Sequence, residues 1–161
     1  MLIIGITSLM ISALTEYLLH KIYLHKDSGH DHIRFHHTIF NGKETFSNPQ
    51  SNPKDILSAM SYNIVTAIPT ILYSLLIYIN SSFSYSLLAI IVGALYIFWV
   101  EYSHYLYHKP SGKFIEKNKI FLHLKEHHRI HHIYYSYNYG IGSNMWDIIL
   151  KSQYKKNKTP Q

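Results

Sequence analysis

The chain has no cysteine. It can form neither a disulfide nor a thiolate metal site, so any metal it binds is held through nitrogen or oxygen. Acids are scarce: nine Asp and Glu stand against fifteen Lys and Arg, a formal net charge of +6. Such a surplus suits nucleic acid or an anionic membrane surface, and the placement of the charges decides between them. Every Lys and Arg falls between Lys21 and Lys54 or between Lys109 and Lys158, with none among residues 1–20 or in the segment Asn80-Ser81-Ser82. The aromatics lie in or beside apolar blocks rather than among clustered basic residues, so no nucleic-acid surface is expected.

At 161 residues the length suits one domain. The mean hydropathy of -0.05 is that of an ordinary soluble protein, but it averages over segregated blocks. Three apolar stretches run from Leu2 to Leu19, from Ile56 to Ile79, and from Phe83 to about Val100, the last continuing toward His108. A bilayer span takes roughly 20 predominantly apolar residues, so all three can cross. The first has no basic residue ahead of it and no small-residue cleavage site behind it, which argues against a signal peptide. Pro69 and Asn63 fall within the second, where a kink at Pro69 is expected. By the positive-inside rule the two basic regions are cytoplasmic, and the N-terminus and the Asn80–Ser82 hairpin lie outside.

All 13 histidines occupy two windows, His20 to His37 and His104 to His132, and each window opens where an apolar helix ends. The windows resemble one another: Glu16-Tyr17 leads to His20 and His25, Glu101-Tyr102 leads to His104 and His108, and each window closes on an adjacent pair, His36-His37 or His131-His132. On a helix, positions i, i+3 and i+4 share a face, so His128, His131 and His132 are expected to aim at one point, and His104 and His108 to stack one turn apart. His32 with His36 and His37 is nearly as good. His20 and His25 are five apart, off a common α-helical face, so the helix is expected to end between them.

A structural zinc ion takes about four ligands and a catalytic one about three. The ten well-spaced histidines are too many for one ion and suit two, each with about five imidazoles and an open position. Crowded imidazoles repel when protonated, and a metal removes that conflict. Glu16 lies in the last turns of an apolar helix, where an ionisable group is a functional candidate. It is placed to accept the outer ring N–H of His20, and Glu101, three residues before His104, to do the same; an interfacial carboxylate and direct ligation are the other readings.

The ordered boxes His20-x4-His25, His32-x3-His36-His37, His104-x3-His108 and His128-x2-His131-His132 resemble the fatty acid hydroxylase and sterol desaturase superfamily of membrane metalloenzymes. Glu16-Tyr17-Leu18-Leu19-His20-Lys21 is similar to the start of that family's first box. Asn138-Tyr139-Gly140 through Trp146-Asp147 is similar to the stretch that follows its closing box. The likeness runs from about Glu16 to Leu150. It implies an all-α fold of multi-pass membrane helices with a cytoplasmic histidine-rich helical cap, residues 1–152 forming a single membrane domain and 153–161 a basic polar tail. It further implies a two-metal site, iron or in isolated protein zinc, that activates dioxygen to hydroxylate or desaturate a lipid. The matching positions are His20, His25, His32, His36, His37, His104, His108, His128, His131 and His132. His30, His123 and His127 are left over, and His30 can stand in for His32, because the second box has three residues before its pair where many relatives have two.

Oxygen insertion needs a redox metal, electrons and a dry pocket. No haem, iron–sulfur or nucleotide motif is present, so an external electron donor is expected. Two other readings are a zinc-dependent membrane hydrolase or isomerase and a non-enzymatic metal-binding membrane protein; a carrier would place its ligands along a path at the bilayer midplane, not beyond helix ends. The run Tyr134, Tyr135, Tyr137, Tyr139 is expected to pack or form an interfacial belt, Gly140 and Gly142 to serve a turn, and Trp146 and Asp147 to pack and cap. The tail is expected to fray and touch anionic lipid.

Overall fold

The computed structural model describes residues 1–25, 32–58 and 60–156. His30 and residues 157–161 of the tail lie outside the described residues. The elements are helical throughout, with no strand among the described residues. Helix α1 (Leu2–Leu18) runs on as a π-helical turn, Leu19–Leu24. A second π-turn, His32–His36, leads into the short α2 (His37–Ile39). Helices α3 (Met60–Asn80) and α4 (Phe83–His108) form an antiparallel hairpin across Ser81-Ser82, and the Ser82 hydroxyl caps α4 by accepting the Tyr85 N–H. Helix α5 (Lys119–Ile133) and the short α6 (Met145–Ile149) complete the chain.

α1, α3 and α4 pack against one another as a three-helix bundle. Its inside is small and polar, its outside large and apolar, the reverse of a soluble domain. Ser8 donates to the Ala89 carbonyl (2.6 Å), Ser12 meets Thr70 (2.9 Å) and Ser74 meets Ser86 (2.8 Å), all buried. Gly93 has no room for a Cβ, which would fall 2.5 Å from Thr70 Cγ2. Close backbone approach over small residues with hydroxyl cross-links is how helices associate where surrounding lipid is as apolar as leucine. Facing outward are Ile64, Ile68, Leu72, Leu76, Leu95 and Phe98. Three segments, Leu2–Leu24, Met60–Asn80 and Phe83–His108, are long and apolar enough to cross a membrane, and only 22–28 % of their most apolar windows is buried inside the protein.

The second span starts at Met60, later than the apolar stretch at Ile56, because Pro53 opens a 3-10 turn (Pro53–Asp55) that turns the chain toward the histidines, where Ile56 is buried. α3 continues through Pro69 without interruption. Tyr154 does not fray: its N–H donates to Asn138 Oδ1 (2.7 Å) and its ring stacks on Tyr134 at 4.4 Å. All the histidine side chains at issue collect at one end of the bundle, where α4 ends and α5 crosses it.

Candidate metal centre

Two groups of five imidazoles form at that end. One comprises His20, His25, His32, His37 and His131; the other His36, His104, His108, His128 and His132; in each, the ring nitrogens lie within 4.8 Å of one another. The ten positions that match the histidine boxes are therefore brought together, among the described residues, in these two groups. The sorting follows helix type. His20 with His25, and His32 with His37, are five residues apart, and each pair spans a π-turn, its second member being the residue next after it. On an α-helix that spacing places residues about 140° apart; i to i+5 hydrogen bonding widens the turn and returns them to one side. The helix thus does not end between His20 and His25; it widens. In the other group, His104 with His108, and His128 with His132, are α-helical i, i+4 pairs.

His128, His131 and His132 do not aim at one point: His131 joins the first group and its two neighbours the second. His36 and His37 split in the same way. Adjacent residues on a helix point about 100° apart, so each adjacent pair spans both groups.

Nε2 atoms face one another at regular separations. In the first group His20 to His32 is 3.2 Å, His32 to His37 3.3 Å and His25 to His131 3.0 Å. In the second, His36 to His104, His104 to His108 and His108 to His128 are each 3.2 Å, and His128 to His132 is 3.1 Å. Donors at right angles about 2.1 Å from a common ion stand about 3 Å apart. The spacings are those of imidazoles around a cation.

The outer nitrogens settle the tautomers. Nδ1 of His20 donates to the Tyr139 carbonyl (2.5 Å), His36 to Asp55 (2.8 Å), His108 to Phe46 (2.8 Å), His131 to Tyr137 (2.6 Å) and His132 to Phe40. A carbonyl only accepts, so each Nδ1 carries the proton and each Nε2 turns a lone pair inward. Lone pairs pressed together at about 3 Å are reconciled by a cation, which is the fit of this donor set to a metal. Burial holds the imidazoles neutral as well: it lowers His25 and His36 to about 4 and His131 to about 3, and it takes His32, His37, His128 and His132 well below the ordinary value, with neighbouring imidazoles adding to the effect on these four.

The carbonyls come from three segments, one of them the Pro53–Asp55 turn that supplies Asp55. Phe40 and Phe46 flank a loop fastened to α5 by Arg129, which donates to the Gly42 carbonyl (2.7 Å); a Cβ at Gly42 would fall 2.5 Å from the Arg129 carbonyl oxygen. Tyr137 and Tyr139 belong to a strap joining α5 to α6. Asn138 bends the strap with a φ of 56°, a left-handed conformation asparagine tolerates, and its side chain donates to the His127 carbonyl (3.0 Å).

Among the described residues neither glutamate hydrogen-bonds to an imidazole side chain. Glu16, fully buried, accepts the Ile141 N–H on Oε1 (2.9 Å) and the Tyr96 hydroxyl on Oε2 (3.1 Å). His20, one turn later, has its Nδ1 taken by Tyr139, so Glu16 and His20 grip the same strap at two points. Glu101 accepts the Ser58 N–H on Oε2 (3.1 Å), holding the loop that presents the Asp55 carbonyl to His36. Both carboxylates act on backbone that holds a histidine, one step further out than the spacing suggests.

Among the remaining histidines, His123 is exposed and meets Asn144 (3.0 Å). His127 is buried and donates from Nε2 to Asp147 Oδ2 (3.0 Å). Asp147 is the functional candidate that reasoning from spacing missed: completely buried, it also accepts the N–H groups of Tyr139 (2.9 Å) and Gly140 (2.8 Å) and the Ser152 hydroxyl (2.7 Å). Burial works to raise its carboxyl, but the bonds from His127, Ser152 and Gly140 outweigh it and hold the group below the usual range. Its one signal in the sequence was the Trp146-Asp147 pair following the closing box.

A cavity of about 430 Å³ reaches both groups, touching His32 on one side and His36 and His104 on the other. Tyr23, Ser61 and Tyr62 line it and also line a smaller, 120 Å³ hollow bounded by Leu19 and Val65, so the two adjoin on the side where α1 and α3 present apolar side chains outward.

No curated protein and no solved structure matches the chain. A family model, that of the fatty acid hydroxylases, matches residues 5–152, nearly the whole length. By that match the chain, with its membrane-length helices and paired histidine groups, belongs to the fatty acid hydroxylase family.

Proposed function

We propose that the chain is an integral-membrane oxygenase with two iron ions that uses dioxygen and electrons from an external donor to hydroxylate or desaturate a lipid, whether an acyl chain, a sterol or a related molecule. The family points to a membrane enzyme of hydroxylase type. His20, His25, His32, His37 and His131 hold one ion, and His36, His104, His108, His128 and His132 the other. The observation that carries the reading is the convergence of two sets of five Nε2 atoms. An all-imidazole set suits iron, and the bound metal supplies the oxidising power that no side chain here has.

The rest of the chemistry falls to the protein. The backbone carbonyls of Phe40, Phe46, Asp55, Tyr137 and Tyr139 fix which nitrogen is available in the five rings they hold. Burial of the rings keeps bulk water from the reacting position. A lipid enters from the bilayer between α1 and α3, past Tyr23 and Tyr62, and lays a carbon of its chain in the cavity between His32 and His104. The residues 1–152 act as one catalytic domain, with 153–161 as its tail. The concentration of Lys and Arg on the histidine side supports a centre facing the cytoplasm, within reach of a soluble electron donor.

Expression in a lipid-producing host, with lipid profiles taken with and without oxygen and metal analysis of the purified protein, tests this. The expected result is an oxygen-dependent lipid product and about two iron ions per chain. A product formed equally without oxygen, or protein that takes up no metal under any preparation, would overturn it.

A further inference from the structure

The peptide unit joining Tyr139 to Gly140 is held at both ends. Its carbonyl accepts the His20 Nδ1–H at 2.5 Å, and its N–H donates to Asp147 Oδ2 at 2.8 Å. We propose that Asp147 is a positioning residue for His20, acting through this single peptide unit to orient the ring and strengthen it as a ligand. The inference rests on the reading of His20 as a metal ligand and goes beyond it.

Hydrogen bonds in series polarise one another, more so away from water. A carboxylate drawing on the Gly140 N–H pushes electron density toward the Tyr139 oxygen. That oxygen then pulls harder on the Nδ1 proton, and density moves across the ring to Nε2. A carboxylate bonded directly to a ligand histidine has the same effect; here a peptide stands between them.

Three observations favour a charged relay over a plain loop fastening. Asp147 is wholly buried with four donors on its two oxygens, from His127, Tyr139, Gly140 and Ser152, which suits an ionised carboxylate. Gly140 is shaped for the contact: a Cβ there would collide with the Ser143 carbonyl and lie 3.0 Å from Asp147 Oδ2. Other units that hold histidines end on neutral partners: the N–H after Tyr137 goes to the Ser152 carbonyl and the N–H after Phe40 to the Thr45 hydroxyl. The unit that holds His20 is the one of these three with a carboxylate behind it.

Two measurements on the full chain in detergent test this. In the first, cobalt(II) is titrated into the wild type and into Asp147→Asn, following the visible absorbance. The wild type is expected to take two ions; the variant should bind one of them about 10- to 100-fold more weakly, the usual effect of removing an outer partner of a ligand, and the other unchanged. Equal affinities in variant and wild type would overturn the inference while leaving the metal centre standing. Equal weakening of both ions would make Asp147 a general strut and would also overturn it. A wild type that takes no cobalt would overturn the metal centre itself.

The second needs no substitution. Tyr139-Gly140 is the chain's one Tyr-Gly pair, so with carbonyl-13C tyrosine and 15N glycine this is the one peptide unit with a bonded 13C–15N pair, and carbon–nitrogen correlation selects it. Zinc(II) binding is expected to move both its carbonyl carbon and its amide proton downfield. A signal that stays in place while zinc binds would overturn the relay.

Discussion

The Nε2 atoms of His32 and His37 lie 3.3 Å apart although the two residues stand five positions apart in the chain. A π-turn makes that possible, and the same device unites His20 with His25. π-turns are rare and concentrate at functional sites. Here two of them build one histidine group, while α-helical spacing builds the other.

Because neighbours in sequence serve different groups, single substitutions should separate the two. His131→Ala is expected to remove the ion of the first group and His132→Ala that of the second, each lowering metal content from about two to about one per chain. Metal analysis of the purified variants checks this. Loss of both ions from either variant would mean that the groups do not act as separate sites.

Glu16 fastens the strap that holds His20 and His131. Glu16→Ala leaves the Ile141 N–H and the Tyr96 hydroxyl buried without partners, at about 1–3 kcal/mol each. Glu16→Gln retains the shape and can still accept one of these bonds, so its cost should be smaller. Thermal or denaturant unfolding of both variants in the same detergent gives the order; a Gln variant as unstable as the Ala variant would contradict it.

Ser61 lines both the cavity and the adjoining hollow and belongs to neither histidine group. Ser61→Trp is expected to cut lipid turnover at least tenfold while leaving metal content at the wild-type value. Full turnover in that variant would place the lipid elsewhere.

The metal-free protein should weaken in acid. Burial holds His36 near 4 and His131 near 3, below the ordinary histidine value of about 6.5. Between those limits the unfolded chain binds protons that the folded one does not, so stability is present above about pH 6.5 and falls as the pH drops toward 4. Each such group contributes a slope of up to about 1.4 kcal/mol per pH unit. Bound metal should come off over the same range, because protons compete for the same lone pairs. Denaturant midpoints and metal retention measured from pH 8 to pH 4 check both statements; a flat profile would mean the rings are not buried as described.

Much of this was legible in the sequence, and for a physical reason. Long apolar runs have no other stable home than a bilayer or a core, and the spacing of histidines survives folding because helices preserve local order. The three membrane-length helices and the gathering of histidines at their ends came from those two facts, and the full set of ten from the resemblance of the boxes to a known family. Helix geometry at the π-turns did not, because five-residue spacing on an α-helix points side chains apart, and nothing local in Leu19–Leu24 announces the wider turn. The division of His36 from His37 and of His131 from His132 was likewise out of reach.

What the sequence by itself determined is the supply of ligands and the side of the bundle they occupy: side-chain chemistry is written residue by residue. Tertiary structure alone decided the partners that orient those ligands. The acceptors behind His20, His36, His108, His131 and His132 are main-chain carbonyls, which every residue carries alike, so no pattern of letters marks the five that matter. Glu16 and Asp147 were visible as carboxylates, but that both hold the backbone of one strap, and that the strap meets His20, depends on contacts such as Glu16 with Ile141 and His20 with Tyr139, each joining residues more than a hundred positions apart.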